Sequence, residues 1–290
     1  MRNAVVVAVD GSRNGMAVVD LGVAEARRRG SALIIVHVWP GRHAGPFRSG
    51  ATAPGIAAGR HLLDLAARRA EHREPGLEVM TELAGGSAFG TITERSASAR
   101  LLVIGHRDEV LTRPSWGSTA AYLAHYSACP LLVHRGAAPD RGPVVVAVSG
   151  TPGHSATVLS AVEEAALCGT RLVAMHVWTH PDAAGSRIPS AARREADERL
   201  TAALAPAVTV HPEVPVERLV LSEPDVGYTL GRAAHRGRLL VAGMGASGRV
   251  AELLYGGLSV SHRPPGPVLL VPPGWEHPDL AAVAAHSTAG

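Results

Sequence analysis

The sequence predicts an α/β protein made of two tandem domains, each a doubly wound parallel sheet with helices on both faces. Three observations carry this reading. The chain repeats itself once, with Val5-Val6-Val7-Ala8-Val9 returning as Val144-Val145-Val146-Ala147-Val148 at an offset of 139 residues. Apolar runs of strand length alternate with amphipathic helical stretches, the pattern of strand–helix units in one sheet. The strand runs are continuously apolar, as strands buried on both faces require.

The repeat holds along the chain. His37-Val38-Trp39 returns as His176-Val177-Trp178, and Glu25-Ala26 with Gly30 as Glu164-Ala165 with Gly169, again 139 residues on. Leu101-Leu102-Val103 and Gly105 return as Leu239-Leu240-Val241 and Gly243 at 138, and Pro130-Leu131-Leu132 as Pro267-Val268-Leu269 at 137. Such a period is too long for a solenoid, so each copy is a whole domain. A length of 290 residues agrees, at roughly 150 residues per domain. We expect domains over 1–137 and 142–274, parted by the Gly/Pro-rich stretch from Gly136 to Pro143, and a C-terminal tail over 275–290.

In the first copy the elements are read in order as a strand at 5–9, a helix at 14–29, a strand at 33–38, a helix at 57–73, a strand at 78–83, a helix at 87–99, a strand at 101–105, a helix at 118–127 and a strand at 130–134. Arg27-Arg28-Arg29 closes the first helix, where positive charge complements the helix dipole. The second copy has strands at 144–148, 171–177, 216–221, 239–243 and 267–271, with helices at 155–168, 189–204, 225–235 and 249–258. Right-handed crossovers reduce the topologies to a doubly wound sheet. A ligand is then expected beyond the carboxyl ends of the strands, where the winding reverses.

Composition excludes several functions. All 28 basic residues are arginine, so a P-loop lysine and a Schiff-base lysine are ruled out. The net charge of +3 is scattered, without the basic stripe of a nucleic-acid binder. No apolar run approaches the ~20 residues of a membrane span, and the first residues show no signal-peptide pattern; we expect a cytoplasmic chain. Cys129 and Cys168 form no Cys-x-x-Cys pair and are expected as unbonded thiols. The 15 histidines fall in no metal-ligand spacing, and no metal is expected.

Candidate chemistry sits at two loops of the first copy. Asp10-Gly11-Ser12 follows the first strand, where a carboxylate can accept a bond from a ribose hydroxyl or can cap a helix start. Gly105 ends the fourth strand, and after a loop Gly117-Ser118-Thr119 opens a helix. Bare N–H groups and the positive dipole end suit a phosphate there, although Ser118 or Thr119 can equally serve as a cap. In the second copy Gly243-Met244-Gly245-Ala246-Ser247-Gly248 fits a dinucleotide fingerprint. It follows the fourth strand rather than the first and lacks the acidic residue ~20 positions on, so dinucleotide binding is not expected. No Gly-x-Ser-x-Gly elbow occurs, and Glu163-Glu164 is read as a solvated helix face. We expect no enzyme.

Taken together, V-V-V-A-V-D-G-S, E-A-R-R-R-G, V-H-V-W, L-L-V-I-G, G-S-T and A-C-P-L-L-V, in this order and spacing, resemble the universal stress protein family. The second copy repeats the frame over 142–272, as in the tandem members of that family. The resemblance implies two Rossmann-like domains with five parallel strands in the order 3-2-1-4-5, and a role in stress-linked regulation. One branch of the family binds ATP through an aspartate after strand 1, a backbone contact at the end of strand 2, and a loop G-x2-G-x9-G-[ST] after strand 4. Carried onto this chain, these imply Asp10, Val38, Gly105, Gly117, Ser118 and Thr119, with Arg107 in the loop. Asp108 stands where the second glycine belongs, and Gly117-Ser118 comes one residue early. In the second copy Ser149 replaces the aspartate and Gly256-Gly257 the glycine-serine pair, a degenerate site.

The functional expectation is a stress-response regulatory protein with ATP binding in the first domain. The alternatives are a protein-interaction module without nucleotide, engaging an unidentified protein partner, and a slow ATPase. The fifth strands, 130–134 and 267–271, are expected to pair the domains within the chain, as in family dimers, with homodimerisation of the whole chain as a further arrangement.

Overall fold

The computed structural model describes residues 4–12, 14–39, 55–105, 119–134, 141–148, 155–178, 190–222, 226–244 and 266–276. The chain divides into two units, Met1–His134 and Arg135–Gly290.

In the first unit five strands, β1 (Ala4–Ala8), β2 (Leu33–Trp39), β3 (Val79–Gly85), β4 (Ala99–Gly105) and β5 (Leu131–His134), alternate with four helices. These are α1 (Gly15–Arg29), α2 (Ile56–Arg73), α3 (Ala88–Ser96) and α4 (Thr119–Tyr126). All the strands pair in parallel, in the order β3-β2-β1-β4-β5, as expected. Running from β1 to β3 the chain moves one way across the sheet, and from β3 to β4 it crosses back. Right-handed crossovers therefore lay α1 and α2 on one face and α3 and α4 on the other. The packing agrees: α1 meets α2, and α3 meets α4.

Burial explains why the apolar runs are continuous. Val5, Val7, Leu33, Ile35, Leu102 and Val103 are fully enclosed. Each such side chain stabilises the fold by about 1.5–3 kcal/mol relative to exposure. Helix α1 supplies its stripe through Val18, Val19, Gly22, Val23 and Ala26, at the three- and four-residue spacing of one helical face. It ends at Gly30, in the left-handed region at φ 57°, where the N–H of Ser31 reaches back to the Ala26 carbonyl.

The second unit repeats this plan. Its elements are β6 (Val144–Ala147), α5 (Ser155–Leu167), β7 (Leu172–Trp178), α6 (Ser190–Val210), β8 (Val216–Ser222), α7 (Val226–Arg236), β9 (Leu239–Gly243) and β10 (Val268–Val271). The parallel order β8-β7-β6-β9-β10 is again 3-2-1-4-5. The cap recurs as well: Gly169 has φ 59°, and the Thr170 N–H bonds the Ala165 carbonyl.

Three expectations are corrected. Helix α3 ends at Ser96, because Ala99 and Arg100 already belong to β4. Helix α6 continues past 204, through Pro206, to Val210. Its stripe Ala196, Leu200, Leu204 and Ala207 stays buried across the proline, so packing outweighs the roughly 3 kcal/mol a mid-helix proline costs. Glu163-Glu164 is not a solvated face: Glu164 is 3% exposed. Adjacent residues lie 100° apart on a helix, and Glu164 falls on the covered side of α5. Its counterpart 139 residues earlier, Glu25, is buried too and is paired with Arg28 and Arg29. The expected helix at 249–258 lies outside the described residues.

Neither Cys129 nor Cys168 is in a disulfide. No described helix is long and apolar enough to cross a membrane.

Candidate functional site

The register fixes what meets at the carboxyl edge of the first sheet. Ala8 of β1 is level with Val36 of β2 on one side and with Ile104 of β4 on the other. Extending that register one residue at a time sets Asp10 level with Val38. Gly105, the last residue of β4, lies one residue beyond Ile104. Asp10, Val38 and Gly105 therefore stand on three adjacent strands, at the place where the winding reverses. Thr119 is the first residue of α4. Arg107, Asp108, Gly117 and Ser118 lie outside the described residues, as does Ser149.

Asp10 is exposed, and its Oδ1 accepts the Ser12 N–H at 3.0 Å. That bond closes a turn in which Gly11 has φ 76°, a conformation that a side chain would strain. Asp10 is thus held by the turn before α1 rather than capping the helix; the N-cap position belongs to Asn14, which makes no side-chain cap bond. A carboxylate that is exposed and fixed in place by a turn can accept hydroxyl donors from a ligand.

Gly105 is confined from the α1 side: a Cβ there would lie 3.0 Å from Val18 Cγ2. The close approach of α1 accounts for a glycine at this strand end. Val38 is half-buried in β2 and level with Ala84 of β3.

Two groups at this edge escaped the reading of the sequence. His37 donates from Nδ1 to the Val9 carbonyl at 2.8 Å and ties β2 to the end of β1 just before the Asp10 turn. Its ring lies close under α2, where a Cβ on Gly59 would come 2.9 Å from Cδ2. His176 makes the same bond to Val148 at 2.9 Å in the second unit. Trp39 closes β2 with a buried indole nitrogen that has no hydrogen-bond partner among the described residues. The signal for all three was the repeated His-Val-Trp, a polar residue inside an apolar strand. Among the described residues no three His, Cys, Asp or Glu side chains gather as a metal site.

Comparison with known proteins decides the family. The family model described as the universal stress protein family matches residues 1–135 and again 141–272. The chain belongs to the universal stress protein family. A universal stress protein of Mycolicibacterium smegmatis is 30% identical over 93% of this chain and 97% of its own. One from Mycobacterium tuberculosis strain H37Rv is 28% identical with the same coverage. The crystal structure of a universal stress protein from Archaeoglobus fulgidus is similar over 94% of this chain and 97% of its own, with a TM-score of 0.67 at 17% identity. That likeness concerns the fold. The double match and the full-length relatives make this a tandem universal stress protein.

Proposed function

We propose that this tandem universal stress protein is a cytoplasmic stress-response regulator that binds an adenine nucleotide, ATP, in its first unit. The observation that carries the reading is the exposed, turn-held Asp10 beside the ends of β2 and β4 at the reversal of the winding. Asp10 would accept ribose hydroxyls. The backbone at Gly105 and the start of α4 at Thr119 would face the phosphates, joined by Arg107, Gly117 and Ser118 of the intervening loop. The reading is one of binding and carries no chemical step. In the second unit Ser149 offers no carboxylate, and we assign no nucleotide there.

A second reading, an interaction module without nucleotide, is favoured by Asp108. A carboxylate where backbone should approach phosphate adds bulk and like charge. Calorimetric titration with ATP tests both. We expect the wild type to bind, Asp10→Ala to weaken binding about ten- to a hundredfold, Asp108→Gly to strengthen it, and Ser149→Ala to change nothing. No heat at millimolar ATP in the wild type, and none in Asp108→Gly, gives the interaction module. We also propose that the two units pair through 130–134 and 267–271, the last strands in their respective orders.

A further inference from the structure

The Trp39 indole is an anomaly in an otherwise satisfied strand. Buried Trp N–H groups usually find a partner, and leaving one unmade costs free energy comparable to a lost hydrogen bond. Trp39 Nε1 is buried and has none among the described residues. The residue is not a frayed end. Trp39 is level with Gly85 of β3, and its carbonyl accepts the Gly86 N–H at 3.0 Å. Among the described residues the buried hydroxyls of Thr93 and Ser160 also lack partners, but they sit within α3 and α5 rather than at the carboxyl edge of a sheet.

Position narrows what the donor is for. Side chains two residues apart on a strand share a face, so Trp39 lies on the side of His37, whose ring packs against α2. Trp39 is the last residue of β2, next to Val38, at the same carboxyl edge as the Asp10 turn. Along the edge the order is Trp39 on β2, Asp10 after β1 and Gly105 on β4. Strands are about 4.8 Å apart, so β2 and β4 stand roughly 10 Å apart. A nucleotide laid over them with its ribose at Asp10 and its phosphates at Gly105 has its base at β2.

We propose that the Trp39 indole N–H is a hydrogen-bond donor to a ring nitrogen of the purine base. This rests on the nucleotide reading of the first unit and adds to it a side-chain contact that selects the base. A neutral bond of this kind corresponds to about three- to tenfold in affinity.

The test is titration of the full chain and of Trp39→Phe with ATP and with its 1-deaza, 3-deaza and 7-deaza analogues, each of which replaces one ring nitrogen by carbon. We expect one analogue to bind the wild type about three- to tenfold more weakly than ATP. Trp39→Phe should bind ATP more weakly by a similar factor and no longer distinguish that analogue from ATP. Its thermal midpoint, read beside the affinities, measures the packing lost with the smaller ring. Equal ATP affinity in the two proteins, or an analogue penalty that persists in Trp39→Phe, overturns the assignment while leaving nucleotide binding intact. A uniform loss for every nucleotide with a lowered midpoint marks a packing role and also overturns it. Absence of ATP binding in the wild type removes the underlying reading, and this assignment with it.

Discussion

Single residues in this protein take their character from enclosure. Cys129 is buried between α4 and β5, and burial pushes its thiol up to about 12 although Ser127 lies beside it. The thiolate is the reactive form, so Cys129 should be inert at pH 8. Cys168, at the end of α5, is partly exposed. Titration with a chromogenic disulfide reagent should therefore find one fast thiol in the native chain, Cys168, and two after unfolding; two fast thiols in the native protein would contradict the burial of Cys129. Glu25 and Glu164 teach the same lesson. Both are charged side chains on helices, and only the packed structure shows that each is covered.

At the scale of elements, α1 and α2 are joined by a charged clasp. Arg69 grips Asp20 with both Nε and a terminal nitrogen at 2.6 Å, and Arg73 adds a third bond at 2.8 Å. Partial burial pushes the Asp20 carboxyl up, but the bonds and charges of Arg69 and Arg73 together outweigh it and hold it below its ordinary 3.8. A depressed carboxylate contributes stability that is present above its unfolded value and is lost as pH falls through the folded one. Asp20→Asn should therefore lower stability at pH 7 by about 1 kcal/mol, the scale of a partly exposed paired group. Denaturant curves of wild type and variant should converge as the pH drops below 4; a gap that persists at pH 2 would show that the carboxylate's charge is not the cause. Helix α6 makes the complementary point. Its extension through Pro206 comes from four buried positions that continue across the proline.

For the whole molecule, the tandem repeat raises the question of what two units gain from one chain. Within each unit the fifth strand, β5 or β10, is a short apolar segment standing last in the order β3-β2-β1-β4-β5 or β8-β7-β6-β9-β10. Open strand edges invite pairing, and a tandem chain supplies a permanent neighbour at high effective concentration. Residues 1–137 and 142–274 expressed separately should be less stable than the intact chain, and at least one should self-associate. Sedimentation and thermal unfolding of the two halves check this; two soluble monomers as stable as the full chain would refute pairing through 130–134 and 267–271.

The sequence by itself determined the fold class, the duplication and the strand order through the family frame, because continuous apolar runs and a repeated spacing are properties of composition along the chain. It also marked Asp10, Gly105 and Thr119, since each sits at the end or start of an element whose type was already readable, while Val38 came from the family resemblance alone. Tertiary structure alone decided which of these stand together, because register between strands distant in sequence is set by packing rather than by local pattern. It decided as well that Asp10 closes a turn instead of capping α1, that His37 ties β2 to β1, and that Trp39 carries a buried donor without a partner among the described residues. Those outcomes depend on what each side chain meets across the sheet, and no run of neighbouring residues encodes that by itself.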